Sequence, residues 1–215
     1  VPKEYFSGID EKISKVVWAA IKKLEDMGAT YKEISLPHSE YALPSYYIIA
    51  VSEASTNLAK YSGMRYGLQP EMSGNFDQYF SSVRSKAFGE EAKRRIVLGT
   101  FARMAGYRDA YYLKALKVRT KVIEDFKKAF KKFDILAAPT MPVVAPRFDE
   151  IAKLSPIENY MMDVLTVAPN LAGIPMVSVP AGNVDKMPVG LHLMGDHLHE
   201  SKILQVAHAF ESLRS

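Results

Sequence analysis

The sequence contains no cysteine among its 215 residues. That excludes disulfides and thiolate metal sites, and it fits a reducing compartment. No window holds 18 uninterrupted apolar residues, so no membrane-spanning helix is expected. The opening VPKEYFSGIDEK has no apolar core of the kind a secretory signal needs. There is no internal repeat, no low-complexity tract and no clear domain boundary. There is no G-x-S-x-G nucleophile motif, and no histidine has a serine partner in context. Neither sign of charge dominates: 28 Lys and Arg stand against 24 Asp and Glu, a net charge of +4. That balance allows weak contact with nucleic acid and argues poorly for a dedicated nucleic-acid binder.

What is present is a chain 48% hydrophobic, enough to bury a sizeable core. Asp10 is placed to cap a helix running to about Met27, with Ile13, Val16, Val17, Ala20, Ile21 and Leu24 on one face and Gly28 as its stop. Thr30 to Leu36 alternates polar and apolar residues and predicts a strand ended by Pro37. Pro44 opens a helix that Gly63 closes, and residues 64 to 75 form a loop. Helical patterns follow over Asp77 to Ala87 and Glu90 to Phe101. A long amphipathic helix is predicted from about Asp109 to Lys132, with Tyr112, Ala115, Leu116, Val118, Val122, Phe126 and Phe130 as its apolar side. Asp134 to Ala138 reads as a buried strand, and the proline-rich stretch from Pro139 to Phe148 as a loop.

The stretch from Ile157 to Gly195 organises the rest. Ser155 and Pro156 start a short helix that leads to Asp163. An apolar run broken at Pro169 leads into Asn170-Leu171-Ala172-Gly173-Ile174-Pro175. Strands follow at Met176 to Val179 and Val189 to Met194, joined by a Gly/Asn/Asp/Lys turn. His197 to Ser201 is a turn, and Glu200 to Leu213 a final helix. On composition alone, the Gly and Pro density here describes a buried sheet edge with structural turns.

Several residues carry possible chemistry. One guanidinium of the Arg94-Arg95 pair can point inward while its neighbour, about 100° round the helix, faces solvent; an inward one suits a carboxylate, because its planar fork donates two parallel hydrogen bonds. The alternative is an exposed basic pair beside Glu90 and Glu91. Asp163 could cap a turn, and Tyr46 could be a core aromatic. His197 and His199, with Asp196 and Glu200, could bind a metal on a loop; a solvated turn is the better reading, and no metal site is assigned. Lys114, Lys117, Lys121, Lys127, Lys128, Lys131, Lys132 and Arg119 make the long helix basic. A solvated outer face is preferred to a phosphate stripe, since Glu124 and Asp125 interrupt it and no aromatic stacking pattern interleaves it.

The phrase PNLAGIP, followed by VSVP and PVGL, resembles the C-terminal half of the amidase signature family. Within it, the chain is similar to the branch of glutamyl-tRNA(Gln)/aspartyl-tRNA(Asn) amidotransferase A subunits. The same resemblance runs through ALPSYYIIAVSEASTNLAKYSGMRYG (Ala42 to Gly67), FGEEAKRRIVLGTF (Phe88 to Phe101) and GYRDAYYLKALKVRT (Gly106 to Thr120), and covers essentially the whole chain in order. It implies an α/β fold, a mixed central β-sheet flanked by helices on both faces. Residues 1–215 would be the C-terminal portion of one amidase signature domain, with the N-terminal catalytic-signature portion absent.

By the same resemblance, Arg95 matches the arginine that grips the α-carboxylate of glutamine. Asp163 matches the acid that pairs with its α-ammonium, and Tyr46 matches a tyrosine lining the pocket. Asn170 and Gly173 are expected to shape the backbone. His192 stands where relatives often carry Gln. The family's serine nucleophile, cis-peptide serine and lysine base lie in a Gly/Ser-rich signature that this sequence lacks. Its own Ser81-Ser82 pair falls in the helical pattern QYFSSVRS, so no catalytic residue is assigned to this chain. The resemblance further implies a cytoplasmic heterotrimer with subunits B and C, in which glutamine is hydrolysed to supply ammonia for aminoacyl-tRNA bound mainly by the partner. No cofactor is expected on this chain, with ATP and Mg at the partner subunit. The alternatives are another amidase signature amide hydrolase and a non-catalytic subunit-docking module.

Overall fold

The computed structural model describes residues 1–212; Leu213, the expected end of the last helix, lies outside them. The chain divides into two compact units. One comprises residues 1–43 and 118–215, the other residues 44–117.

The first unit holds the sheet. Strands β1 (Ile135–Pro139), β2 (Met176–Val184) and β3 (Met187–Gly195) lie in the order β1-β3-β2 and pair antiparallel throughout. Period-2 geometry decides what each face carries. Val189, Leu191 and Leu193 share a face with Val179 and Val184 of β2, and that face packs on helix α1 (Glu11–Asp26) through Ile13, Val17, Ala20 and Ile21. The last helix of the described chain, Glu200–Ser212, adds Ile203, Ala207 and Phe210 to the same cluster. The opposite face carries Leu136, Ala138, His192 and Met194, which are also buried. Both faces of the sheet are therefore covered, as an α/β fold requires.

Local signals explain the elements. Asp10 caps α1 by accepting the Lys12 N–H at 2.8 Å. The chain leaves that helix through Gly28 at φ 98°, a left-handed position that glycine takes without cost. The β2–β3 turn is tighter than the expected Gly/Asn/Asp/Lys loop. The strands run to Val184 and from Met187, leaving Asp185 and Lys186 alone at φ 49° and 69°. Both central positions are left-handed, which the strand twist at a two-residue hairpin demands. Lys12 from α1 reaches Asp185 at 2.7 Å.

The predicted strand over Thr30–Leu36 contracts to one isolated parallel bridge, Pro2 with Ile34. Its two bonds run from Ile34 N–H to the Val1 carbonyl and from Lys3 N–H to the Ile34 carbonyl, both at 2.9 Å, and the ladder stops there because Lys3–Phe6 coils into a 3-10 turn. That bridge is the one parallel pairing beside the antiparallel sheet among the described residues. Pro37 opens a 3-10 turn, Pro37–Tyr41, behind which His38 donates its backbone N–H to the buried Asp125 at 2.9 Å.

The second unit is helical. Helix α2 (Ala42–Asn57) enters it at Pro44, and α3 (Phe76–Ala87) begins with a reciprocal capping box between Asn75 and Gln78. Helix α4 (Glu90–Arg103) follows. The loop between α2 and α3 is held by buried Tyr79, whose hydroxyl donates to the Gly63 carbonyl at 2.8 Å. The long basic helix starts differently from the prediction. Asp109–Leu113 is a π turn with Leu113 N–H bonded to the Arg108 carbonyl, and regular helix α5 runs Lys114–Phe130.

Back in the first unit, Phe148–Ile151 forms a one-turn helix, α6. Helix α7 (Pro156–Met161) has the expected Ser155 cap, boxed with Glu158. Helix α8 (Val164–Ala172) replaces the break expected at Pro169, which stands inside it. Gly173, at φ 71°, ends α8, and Glu200–Ser212 is α9.

Candidate functional site

Tyr46 and Arg95 belong to the second unit, on α2 and α4. Those helices touch closely. A Cβ on Gly99 would overlap the Val51 carbonyl oxygen, so glycine is what lets α4 lie against the α2 backbone. Further along, Arg103 of α4 hydrogen-bonds the Thr56 hydroxyl of α2. Tyr46 lies five residues before Val51 and Arg95 four before Gly99, so each stands about one turn along its own helix from that contact. Tyr46 is half-buried, with its ring edge-on to Tyr47 at 5.3 Å between centroids.

The arginine pair behaves differently from the inward–outward split predicted. Arg95 Nε donates to Glu91 Oε1 at 2.9 Å, and Arg94 bonds the other oxygen of the same carboxylate. The side chains are 39% and 44% exposed, so Arg95 is only slightly the more enclosed. Glu91 is one turn before Arg95, the i,i+4 spacing at which opposite charges meet on a helix. It aims the guanidinium from one side. Sequence reasoning noted Glu91 only as an exposed neighbour; the spacing was the signal that could have given it a role.

Asp163 belongs to the first unit. It occupies the N-cap position of α8, yet its side chain accepts no capping hydrogen bond. Its backbone carbonyl does the helical work, accepting from Thr166 and Val167 N–H. Asp163 is exposed at the N-terminus of this helix. Next to it in the chain, Met162 lines an apolar recess with Met141, Val144, Pro188 and Gly190.

Asn170 and Gly173 shape backbone, as expected. Asn170 Nδ2 donates to the Thr166 carbonyl at 2.9 Å, and Gly173 supplies the left-handed exit from α8. His197 turns toward α8, its Nε2–H donating to the Ala172 carbonyl at 3.0 Å. Among the described residues no group of three or more His, Cys, Asp or Glu side chains could hold a metal ion. Ser81 and Ser82 lie within α3. Ser178 and Thr140 share a hydrogen bond of 2.7 Å over Gly190, where a Cβ would collide with both hydroxyls. Lys121 on α5 pairs with Glu124 at 2.9 Å, so the basic face is partly neutralised from within. Among the described residues no helix is long and apolar enough to cross a membrane.

The sequence profile of the amidase family matches residues 1–204. The chain belongs to the amidase family. It is 50% identical over 212 residues to the A subunit of glutamyl-tRNA(Gln) amidotransferase from Heliobacterium modesticaldum, covering 98% of this chain and 43% of that protein. It is 51% identical to the protein of the same name in Lacticaseibacillus casei, covering 99% of this chain and 44% of that one. The crystal structure of the A subunit of glutamyl-tRNA(Gln) amidotransferase from Thermotoga maritima superimposes with a TM-score of 0.73 at 34% identity, over 98% of this chain and 41% of that one. This amidase-family chain thus spans less than half the length of the relatives it matches.

Proposed function

We propose that this chain carries the glutamine-binding groups of the glutaminase subunit of a tRNA-dependent amidotransferase, and that the nucleophile lies outside it. The observation that carries the reading is the 50% identity, over 98% of the chain, to a protein named as the A subunit of glutamyl-tRNA(Gln) amidotransferase. In this reading the fork of Arg95 holds the α-carboxylate, Asp163 holds the α-ammonium and the Tyr46 hydroxyl gives a further polar contact. A free amino acid needs both charges met, since each would otherwise lose hydration without compensation.

The serine of a Ser-cisSer-Lys set, supplied from outside these 215 residues, attacks the side-chain amide of the bound glutamine. Ammonia leaves, and water releases glutamate. The ammonia passes to a partner subunit, which uses ATP and Mg to activate Glu-tRNA(Gln) or Asp-tRNA(Asn). Subunits B and C complete a cytoplasmic heterotrimer.

Arg95→Ala tests the reading in the assembled enzyme. The KM for glutamine should rise by about ten- to a hundredfold, the scale of charge-assisted hydrogen bonds. Turnover of a simple uncharged amide should barely move. Equal losses on both substrates would instead favour a hydrolase of another amide. Unchanged glutamine kinetics beside intact subunit binding would favour a docking module.

A further inference from the structure

Helix α8 is poorly equipped to hold its own shape. It has nine residues, short for a helix to persist on its own. Pro169 has no N–H, so the Leu165 carbonyl loses its intrahelical donor. The helix then stops at Gly173, leaving its last four carbonyls to find partners elsewhere.

All four do. The Pro169 carbonyl accepts from Gly173 N–H at 2.9 Å, and the Asn170 carbonyl from the same N–H at 3.1 Å. The Leu171 carbonyl accepts from Arg119 Nε at 2.8 Å, and the Ala172 carbonyl from His197 Nε2 at 3.0 Å. The first two bonds are local backbone. The last two come from side chains 52 and 25 residues away, on α5 and on the β3–α9 loop. The Arg119 cation also meets the negative end of the helix dipole. The buried side of α8, including Leu165, Val167, Ala168 and Leu171, sets how deep the helix lies. Apolar contact is non-directional, so it fixes rotation and axial register less sharply than two hydrogen bonds arriving from separate elements.

At the far end of this helix is Asp163, about 13 Å from the two bonded carbonyls at the usual rise per residue. We propose that Arg119 and His197 are positioning residues: by fixing the C-terminus of α8 they set where the Asp163 carboxylate lies for the substrate ammonium. This rests on the glutamine reading of Asp163 given above.

The test uses Arg119→Met, Arg119→Lys, His197→Ala and His197→Gln in the assembled enzyme, with Asp163→Asn beside them. Lys and Gln each keep an N–H donor that can reach the carbonyl. The Met and Ala variants should raise the glutamine KM by about three- to tenfold, the scale of one hydrogen bond. Their kcat should stay within about twofold, because the reacting amide is remote from the clamp. Lys and Gln should recover most of the loss. Amide hydrogen exchange over residues 164–172 should quicken in the Met and Ala variants alone. Faster exchange with an unchanged glutamine KM would overturn the proposal. So would unchanged exchange, or parallel losses on glutamine and on an uncharged amide, the mark of general destabilisation. If Asp163→Asn leaves the glutamine KM untouched, the reading of Asp163 fails and the positioning role with it; that result is read on a different variant from the clamp itself.

Discussion

His192 stands in the middle of β3, 2% exposed, and its Nδ1 has no hydrogen-bond partner. Burial pushes its pKa down from 6.5 to about 4, because the charged ring would lose its hydration. The folded state thus disfavours a proton that the unfolded chain accepts. The stability contribution is present above pH 6.5 and is lost as pH falls through about 4. Across that window the loss should approach about 3 kcal/mol, since each pKa unit is worth about 1.4 kcal/mol. Urea unfolding at pH 7, 5 and 4 measures it. His192→Leu should stabilise the fold at pH 7 by about 1–3 kcal/mol, the cost of one buried unsatisfied polar group, and should flatten the acid dependence. A loss of stability at pH 7 would mean that the ring has a partner after all. Glu91 supports Arg95 in a different way. Glu91→Gln removes the ion pair, and the glutamine KM should rise by less than in Arg95→Ala.

At the scale of elements, Gly99 is the tightest point in the helical unit. Gly99→Ala would push a methyl group into the Val51 carbonyl, a backbone atom that cannot swing aside. The expected cost is about 2–3 kcal/mol, at the upper end for overpacking. Gly89→Ser is the control. Nothing lies within 4 Å of that glycine's Cβ position, and serine is a good N-cap, so thermal melting should be unchanged or slightly raised. At the hairpin, Lys186→Gly removes a side chain from φ 69°, and a gain of about 0.5–1 kcal/mol is expected.

These elements also show what was legible in the sequence. Asp10, Gly28 and Ser155 mark helix ends by local chemistry, and each does what its residue type predicts. Pro169 misled. A proline normally breaks a helix, but here the surrounding apolar packing and the outside donors to its last carbonyls hold α8 together. The Thr30–Leu36 alternation also misled, because strand pairing depends on the partner, and the partner coils into the 3-10 turn Lys3–Phe6 after a single bridge. The glutamine-binding roles proposed for Arg95, Asp163 and Tyr46 rest on family resemblance alone. The clamp on α8 was not legible at all, since Arg119 and His197 are 52 and 25 residues from the carbonyls they meet.

For the molecule as a whole, the family is shown and the chain covers 43% of a relative half identical to it. The proposed division of labour follows from the residues: groups suited to a zwitterion are present, and a Gly/Ser-rich nucleophile signature is not. Ammonia release from glutamine tests that division most directly, measured on the 215-residue chain verified by intact mass. The account predicts no release from the chain alone and restored release when the polypeptide bearing the nucleophile signature is added. Robust release from the chain alone would contradict it, because a nucleophile would then lie among these residues.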